Sequence, residues 1–375
     1  VKMTVAELDK MLREFSGMEE NWYRIYCENV PPNDPEAKKR YIEYIDKNRL
    51  ALNTPQLYYN AWNEKDITYE TFEEFKKRAL EEKRLLSVHA EKEGIKKWLN
   101  IQKHGRFSSM YDHYHSFIEM NYMYSGRCTN IVDGKRIEMD TGDVVIMKPG
   151  SVHRIVWTGE NDILMNIILL PHASATILNK TLVGESDLSA FLVDAVYSQT
   201  MTPNHLYLKL SKSPSVSNLL NLLMCEYFDP DQIAAEFMVG SYLQAIFALI
   251  WRESVLRPDI AVYYKKPSSI LADIIVYIRD NCVTCTRESV AEHFGYSGSR
   301  ISNILANGVG RGFVQLRNEF RMELAEQYLS STSLSVRAVA EECGFKNMNQ
   351  FYKNYKSYFN KLPREQSSNI AKSIS

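Results

Sequence analysis

The sequence predicts an α+β multidomain protein, in which a β-barrel with flanking helices precedes an all-α C-terminal domain with two helix-turn-helix motifs. Three observations support this fold class. Between Arg106 and Pro171, short apolar runs alternate with period two and are separated by Ser-Gly, Asp-Gly, Thr-Gly and Pro-Gly pairs, which is typical of a barrel or sandwich. On both sides of this stretch the apolar residues follow a helical period. Near the C-terminus, a short segment that begins Val-Ala-Glu occurs twice, at Val290 and at Val339.

Length and composition limit the class of protein. The 375 residues suffice for two or three domains, and 45% hydrophobic with 24% charged residues is ordinary for a globular protein. The net charge of -1 gives no global attraction to nucleic acid or membranes. The lone C-x-x-C pair, Cys282 and Cys285, has no second pair at zinc-site spacing, which favours a structural role. The charged N-terminus is unlike a signal peptide, and the longest apolar run, Tyr242–Trp251, is about half a membrane span. We expect a cytoplasmic protein without a membrane partner.

The changes of period set the expected domain boundaries. The predicted order is a helical N-terminal extension (1–103), the β-barrel (104–171), a helical dimerisation and coupling region (172–256), a linker (257–267) and the double helix-turn-helix domain (268–375). In the extension, Asp34–Leu52 and Thr68–Val88 show a helical period among charged residues, so we expect solvated helices. In the barrel, Asp133-Gly134 predicts the turn of a hairpin over Ile131–Met139.

The coupling region contains a helix that is apolar on two sides, Gln232–Glu253. Its two stripes are Val239, Leu243, Ile246 and Ile250, and Met238, Tyr242, Ala245 and Leu249. A helix that is apolar on two sides is usually buried on both. Either it lies inside its own domain, or one stripe packs on the barrel and the other on a partner subunit.

The repeated Val-Ala-Glu segment predicts two helix-turn-helix motifs. The copies align over Val290–Asn303 and Val339–Lys353, at an offset of 49 residues (339 − 290) that grows by one after the aromatic residue. Each copy predicts a short helix, a turn with a glycine that can take a positive φ, and a second amphipathic helix. Between the copies, Phe313–Ser331 predicts one continuous helix of roughly 27 Å. That length could hold two second helices near the ~34 Å that separates successive major grooves of DNA.

The charge around the second copy suits DNA. From Lys346 to Arg364 the chain has basic residues and no acidic ones; the basic residues are Lys346, Lys353, Lys356, Lys361 and Arg364. Such side chains can contact phosphates, which supply most of the sequence-independent affinity for a duplex.

With these features, the segment from about Ser268 to Asn369 resembles the DNA-binding domain of the AraC/XylS family of bacterial transcription regulators. The matching stretches are "VAEHFGYSGSRISNIL", "RNEFRMELAEQYL", "LSVRAVAEECGFKNMNQFYKNYKSYF" and "KLPREQ". The resemblance implies reading helices over Ser297–Asn307 and Asn347–Ser357. It implies that the groove-facing residues are Ser299, Arg300, Ser302, Asn303, Asn349, Gln350 and Lys353, whose side chains can pair with base edges. Two departures from the family pattern are Asn360 in place of glycine and Leu362 in place of Ser or Thr.

Three histidines and a glutamate in the barrel resemble the two sequence motifs of the cupin fold. They are His113, His115, Glu119 and His153. His113 and His115 share one face of a strand, because residues i and i+2 point the same way. The set suits a divalent metal (Fe, Mn, Ni or Zn) by ligand type. It also suits a metal-free effector pocket or a purely structural role in bracing the barrel, and our expectation is a ligand site with no metal or cofactor. Nearby aromatic residues could stack on a sugar or belong to the core: Tyr111, Tyr122, Tyr124 and Trp157.

The combined resemblance implies a ligand-responsive, sequence-specific transcription regulator, an activator, with no catalytic residue. Its implied partners are double-stranded promoter or operator DNA, RNA polymerase, a small-molecule effector with carbohydrate as a candidate, and a second copy in a homodimer. Two alternatives stay open. One is a metal-dependent cupin enzyme, an isomerase or dioxygenase, with the C-terminal helices as an accessory. The other is a regulator whose barrel binds another protein.

Overall fold

The computed structural model describes residues 2–52, 99–107, 109, 112–115, 117–169, 187–197, 204–211, 213–231, 233–263, 269–332 and 334–364. These residues form two compact units. Unit 1 takes the described residues of 1–181 and 201–266, and unit 2 takes those of 182–200 and 267–375. The helix expected over Thr68–Val88 lies outside the described residues.

Unit 1 combines two β-sheets with helices. Its described strands are β1 (Leu99–Lys103), β2 (Ile118–Ser125), β3 (Arg127–Val132), β4 (Lys135–Asp140), β5 (Val144–Met147), β6 (His153–Ile155), β7 (Ile163–Leu169), β8 (His205–Leu208) and β9 (Ala261–Tyr263). They form a six-stranded sheet in the order β1-β7-β2-β5-β8-β9 and a three-stranded sheet in the order β4-β3-β6. The apolar core between the sheets includes Met123 and Leu164 from the first sheet and Val132 and Ile155 from the second. This architecture confirms the predicted barrel.

The hairpin expected at Asp133-Gly134 is confirmed. β3 and β4 pair with Val132 opposite Lys135, so the turn has two residues. Asp133 and Gly134 have φ angles of 50° and 75°. Positive φ at both central residues is the requirement of the type I′ turn, which aspartate tolerates and glycine adopts freely.

The six-stranded sheet extends beyond the expected barrel range of 104–171 in both directions. β1 begins at Leu99, β8 lies within the expected helical coupling region, and β9 lies within the expected linker. β8 pairs with β5 from Val144 opposite Leu208 to Met147 opposite His205, and β9 pairs with β8. Strands of four and three residues are too short to show a period of two in sequence, and the neighbouring strand supplies their hydrogen bonds.

The described α-helices of unit 1 are α1 (Val5–Arg13), α2 (Gly17–Asn29), α3 (Pro35–Leu52), α5 (Pro214–Phe228) and α6 (Ala235–Leu256). The helix α4 (Asp187–Tyr197) lies between α3 and α5 in sequence but belongs to unit 2. The expectation of a solvated N-terminal extension is wrong for α1 and α2, because Leu8 and Glu19 are almost fully buried. Glu19 bonds to the Nε of Arg106 at 2.9 Å and to the Nζ of Lys103 at 2.8 Å. A buried carboxylate needs such partners to offset its lost hydration.

The two-sided helix of the coupling region corresponds to α6. The stripe with Val239, Leu243, Ile246 and Ile250 is fully buried, and the stripe with Met238, Tyr242, Ala245 and Leu249 is half-buried. Among the described helices, none is long and apolar enough to cross a bilayer.

The regular elements among the described residues of unit 2 are all helices. Besides α4 it contains α7 (Ser269–Asp280), α8 (Arg287–Phe294), α9 (Gly298–Val309), α10 (Phe313–Ser331), α11 (Val336–Glu342) and α12 (Met348–Phe359). The helix predicted between the two copies of the repeat therefore has the bounds given by its sequence pattern. Cys282, Cys285 and Cys343 are buried free thiols, in line with a structural role for the C-x-x-C pair.

Candidate nucleic-acid interface and barrel site

The first helix-turn-helix consists of α8 and α9. Thr286 caps α8 by accepting the backbone N–H of Ser289, and Ser297 caps α9 by accepting that of Arg300. Gly295 ends α8 with a φ of 67°, and its N–H donates to the last turn. The cap, the left-handed glycine and the second cap fix the angle between the two helices.

The second helix-turn-helix repeats this construction with α11 and α12. Ser335 caps α11, and the Asn347 side chain caps α12 by accepting two backbone N–H groups. Gly344 has a φ of 78°, and a Cβ at this position would lie 2.9 Å from the carbonyl oxygen of Val283. Glycine is therefore required here both by conformation and by space. Asn360 ends α12 with a φ of 53°, so it takes the left-handed cap that the family's glycine would supply.

One arginine of α10 holds the two motifs together. The Arg321 side chain donates to the carbonyl oxygens of Cys282 at 2.7 Å, Val283 at 2.6 Å and Gly344 at 3.3 Å. The first two carbonyls precede α8, and the third belongs to the turn between α11 and α12. Because one buried guanidinium serves both motifs, they cannot shift independently without breaking charge-assisted hydrogen bonds.

Further contacts fix α12 to α10. Lys361 donates to Glu326 at 2.7 Å, the Tyr355 hydroxyl donates to the same carboxylate, and the Tyr358 hydroxyl donates to Glu323 at 3.0 Å. The C-terminal half of α12, with the residues just after it, is thus attached to the helix that both motifs share.

A groove of about 1000 Å³ runs between the two motifs. Its lining includes Ser302 from α9, and Asn354 and Ser357 from α12, with residues of α10 between them. The two reading helices therefore border the same concave surface and do not point to opposite sides of the unit.

Most side chains predicted to face the DNA groove are exposed: Ser299, Arg300, Asn303, Asn349, Gln350 and Lys353. Ser302 is half-buried, and its hydroxyl donates to the Gly298 carbonyl at 3.0 Å. Sequence reasoning did not single out Arg287 and Asn354, which also line the groove. Nothing in the local sequence of Asn354, which directly follows Lys353, predicts that it lines the groove.

In the barrel, the three predicted histidines come together. His113 and His153 form an isolated antiparallel bridge, and nitrogen atoms of these two rings and of His115 lie within 4.8 Å of one another. The expectation that His113 and His115 lie on one strand is wrong, because β2 begins only at Ile118. His113 and His115 nevertheless reach the same site, as their i, i+2 spacing predicts.

Glu119 of β2 completes the group. Its Oε2 lies 3.1 Å from the Nε2 of His115 and 3.3 Å from the Nε2 of His153. Burial would raise the pKa of Glu119, but the His153 and His115 imidazoles outweigh that effect and hold it well below its usual range. Burial lowers the pKa of His115, whereas the Glu119 carboxylate overcomes burial at His153 and raises its pKa. The site therefore places a buried anion beside imidazoles.

Three amides support the carboxylate from inside the barrel. Asn121 donates to the Oε1 of Glu119 at 2.9 Å and to Asn166 at 3.1 Å, and Asn130 donates to Asn121 at 2.8 Å. His104 is also buried, and burial lowers its pKa to about 4, so its ring is neutral at pH 7. Sequence reasoning missed these residues. The i, i+2 spacing of Glu119 and Asn121 on one strand was the available signal.

The predicted aromatic residues have other contacts. Tyr122 and Tyr124 lie on the strand face opposite to Glu119, because side chains alternate along β2. The Tyr124 hydroxyl donates to Asp9 of α1 at 3.0 Å. Trp157 packs with Tyr26 of α2, at 5.6 Å between ring centroids. These contacts favour the core alternative for all three, and Tyr111 lies outside the described residues.

The histidines and Glu119 have the donor types and the close convergence that a divalent metal requires. Oε2 of Glu119 also accepts no well-directed hydrogen bond, although it is fully buried and close to two ring nitrogens. Ligand atoms that face a common centre rather than one another have this geometry. The residues thus fit a metal as well as a polar ligand, and the expectation of a metal-free site stays a prediction.

Comparison with known proteins adds to this geometry. A family model described as a cupin domain matches residues 98–169, and one described as a helix-turn-helix domain matches residues 290–368. An uncharacterized HTH-type transcriptional regulator of Bacillus subtilis (strain 168), YfiF, is 22% identical over 62% of this chain and 71% of its own length. Another from Escherichia coli (strain K12), YijO, is 34% identical over 21% of this chain and 28% of its own length.

Among solved structures, the C-terminal domain of the response regulator AraT from Geobacillus stearothermophilus is 27% identical over 28% of this chain and 88% of its own, with a TM-score of 0.26. ToxT from Vibrio cholerae is 14% identical over 71% of this chain and 96% of its own, with a TM-score of 0.29. The matching family models and the named relatives confirm the family resemblance that was stated from the sequence. The chain carries a cupin domain followed by a helix-turn-helix domain, and the relatives that it matches are named HTH-type transcriptional regulators.

Proposed function

We propose that the protein binds specific double-stranded DNA through α9 and α12 and that a small molecule in the barrel controls this binding. The observation that carries the proposal is the pair of reading helices that border one groove and share the Arg321 brace. Two recognition helices held in this way can enter successive major grooves on one face of a duplex.

The proposed base-reading residues are the seven predicted from sequence: Ser299, Arg300, Ser302, Asn303, Asn349, Gln350 and Lys353. Arg300 can donate two hydrogen bonds to guanine, and Asn303, Asn349 and Gln350 can pair with adenine. Lys346 and Lys356 are exposed and suited to phosphates.

The test is selection of bound sequences from a randomised duplex library, followed by affinity measurements at several salt concentrations. Gln350→Ala should relax preference at one base pair, with a loss of about 1–3 kcal/mol on the selected site only. Lys356→Ala should weaken binding to all sequences and reduce the salt slope by about one. If the wild-type chain enriches no sequence and its binding does not depend on salt, the proposal fails.

The proposed effector site is the group formed by His113, His115, Glu119 and His153. Imidazole and carboxylate together suit a ligand with hydroxyl or carboxylate groups, so sugars and hydroxy acids are the first probes. A ligand that binds only the folded chain must raise its thermal midpoint. Glu119→Gln should abolish the ligand-dependent shift, whereas Glu138→Gln, an exposed glutamate of the same barrel, should retain it. A shift that survives Glu119→Gln would place the ligand elsewhere.

The second candidate function is a metal-dependent cupin enzyme, which the convergence of the three histidines favours. In that case the histidines and Glu119 would hold the ion, which would supply Lewis-acid polarisation when bound. About one equivalent of metal in the purified protein, with a turnover that His113→Ala abolishes, would favour the enzyme. Loss of DNA binding in Gln350→Ala together with Lys353→Ala would favour the regulator.

The protein is proposed to act as a homodimer and as an activator that recruits RNA polymerase. Exposed apolar side chains support the dimer: Ile233, just before α6, and Phe237, in its first turn, are 76% and 75% exposed, and Leu222 of α5 is 41% exposed. Sedimentation velocity should show a dimer that Phe237→Glu dissociates and that Val255→Glu, at the other end of α6, does not. Transcription in vitro with purified polymerase tests the activator role.

A further inference from the structure

The groove between the two reading helices is lined by hydrogen-bond donors that the fold leaves without acceptors. Arg317 of α10 and Asn354 of α12 both line it. The Nε of Arg317 and the Nδ2 of Asn354 are buried, and neither has a hydrogen-bond partner among the described residues. Within the described part of the chain, no side-chain acceptor atom of the groove lining is buried in this way. Because a buried donor without an acceptor is costly, the lining suits a ligand that only accepts hydrogen bonds.

Arg317 is held in place by contacts within unit 2. Its Nη1 donates to the carbonyl oxygen of Cys285 at 2.9 Å, and its guanidinium lies 5.3 Å from the centre of the Phe313 ring. These contacts restrict its rotamers, so the side chain loses little entropy when a ligand enters the groove.

The two carboxylates of the lining have arginine partners of their own. Glu288 pairs with Arg287 at 2.9 Å, and Glu319 pairs with Arg311 at 2.7 Å. Neither carboxylate therefore neutralises Arg317 by direct contact, and the groove keeps a positive charge for a ligand.

A second arginine of the lining lies against the first reading helix. A Cβ on Gly298, the first residue of α9, would be 3.1 Å from the Nε of Arg287. Glycine at this position thus leaves room for the Arg287 guanidinium beside the first turn of α9. The Arg287 and Glu288 side chains are both exposed, so their ion pair is weak and another anion can replace Glu288.

The position of the groove identifies the part of a duplex that it would meet. Along one face of B-form DNA, successive major grooves are separated by a minor groove and the phosphates that border it. If α9 and α12 enter successive major grooves, the surface between them faces those phosphates. Arg287, Arg317 and Asn354 all line that surface. Phosphate oxygens are negatively charged and only accept hydrogen bonds, which is the chemistry that these donors require.

We propose that the groove binds the phosphodiester backbone of the duplex segment that lies between the two major grooves read by α9 and α12. Arg287 and Arg317 supply positive charge to this backbone, and Asn354 supplies an amide N–H. The inference rests on the proposed DNA-binding function and adds phosphate contacts from residues outside the base-reading set. Such contacts fix the register of the chain on the duplex and read no base.

The test uses the full chain and its selected duplex, in which single phosphates between the two major grooves are replaced by neutral methylphosphonate linkages. The wild-type chain should lose about ten-fold in affinity at one or more of these steps, because a charge-assisted hydrogen bond is lost there. Arg287→Gln should bind the unmodified duplex about ten-fold more weakly, with a salt slope lower by about one. It should also lose its response to one of the neutral linkages, since the side chain that contacts that phosphate is gone.

The matched control is Arg337→Gln on α11. Arg337 forms an exposed pair with Glu341, as Arg287 does with Glu288, but it does not line the groove. Whatever its own affinity, this variant should keep the wild-type response to every central neutral linkage.

Asn354→Ala separates a binding role from a structural one. Because the Asn354 Nδ2 bonds to no described residue, the variant without DNA should keep wild-type hydrogen-exchange rates in α12 or exchange more slowly. Its affinity for the selected duplex should nevertheless fall about five-fold. Faster exchange with unchanged affinity would count against the proposal, because it would assign this side chain to the fold alone.

Two results would overturn the proposal outright. One is a wild-type chain that binds its selected duplex equally well with each central linkage neutral, and the other is an Arg287→Gln chain that responds to these linkages as Arg337→Gln does. Both leave the base-reading proposal standing, because a selected site is still bound. A chain that selects no duplex would instead refute the proposed function, and this inference with it.

Discussion

Replacing Arg321 with methionine should destabilise the DNA-binding unit. Methionine keeps most of the side chain's length and apolar volume but donates no hydrogen bond. The Cys282, Val283 and Gly344 carbonyls would each lose a donor. The contact of the guanidinium with the Phe345 ring, at 5.5 Å from the ring centroid, would also be lost.

The size of the effect follows from these contacts. Hydrogen bonds from a charged donor contribute about 1.5–3 kcal/mol each, and the weak third bond contributes less. Removing a buried charge recovers part of its desolvation cost. The expected loss in free energy of unfolding is therefore about 3–4 kcal/mol, near the upper end for a single substitution.

The matched control is Arg337→Met on α11. Arg337 pairs with Glu341, but the two side chains are 79% and 61% exposed, so the loss should stay below about 0.5 kcal/mol. All five tryptophans lie outside 267–375, so tryptophan fluorescence does not report on this unit. Native-state hydrogen exchange of the slowest amides of α10 measures its opening free energy directly. A loss under about 1 kcal/mol in Arg321→Met would refute the brace between the two motifs.

Three further predictions concern other parts of the chain. Gly344→Ala should destabilise unit 2 by more than about 1 kcal/mol in the same exchange experiment. Alanine resists a φ of 78°, and its Cβ would meet the Val283 carbonyl oxygen. Unchanged exchange rates in this variant would contradict the turn geometry. Burial raises the pKa of Glu19, but Arg106 and Lys103 overcome this and lower it to about 2, so the ion pair should stabilise unit 1 above pH 4.5 and lose this effect as pH falls toward 2. Thermal midpoints of wild type and Glu19→Gln should converge over that range, and a constant difference would contradict it. Burial raises the pKa of Cys282 to about 11 and that of Cys343 to about 12, so at pH 8 iodoacetamide should label exposed Cys27 alone among these three until the chain unfolds.

The helices of unit 2 were predictable because local signals agreed with their packing. α10 has the bounds that its fourfold spacing of Leu316, Phe320, Leu324 and Tyr328 indicates. The glycine turns and serine, threonine and asparagine caps act within a few residues, so their geometry is written in the local sequence. The role of Arg321 was not predictable, because its carbonyl partners lie 23 to 39 positions away in the chain.

The barrel was predictable as a class but not in its edges. The Asp133-Gly134 turn and the histidine pattern are local signals, and both led to the right place. β8 and β9 are short and gain their hydrogen bonds only from neighbouring strands. Likewise, nothing in the charged sequence around Glu19 shows that this carboxylate is buried, since its partner Arg106 is 87 positions away. The amides that support Glu119 lie on three different strands, so the sequence alone does not show that they contact one another.

The most direct test of the central claim is a base-contact footprint of one chain on its selected duplex. Two reading helices on a shared helix predict contacts in two successive major grooves, about 10 base pairs apart. Asn303→Ala should remove contacts in one groove, and Asn349→Ala with Gln350→Ala should remove those in the other. Contacts confined to a single groove, or a footprint that the α9 variant leaves unchanged, would contradict the account.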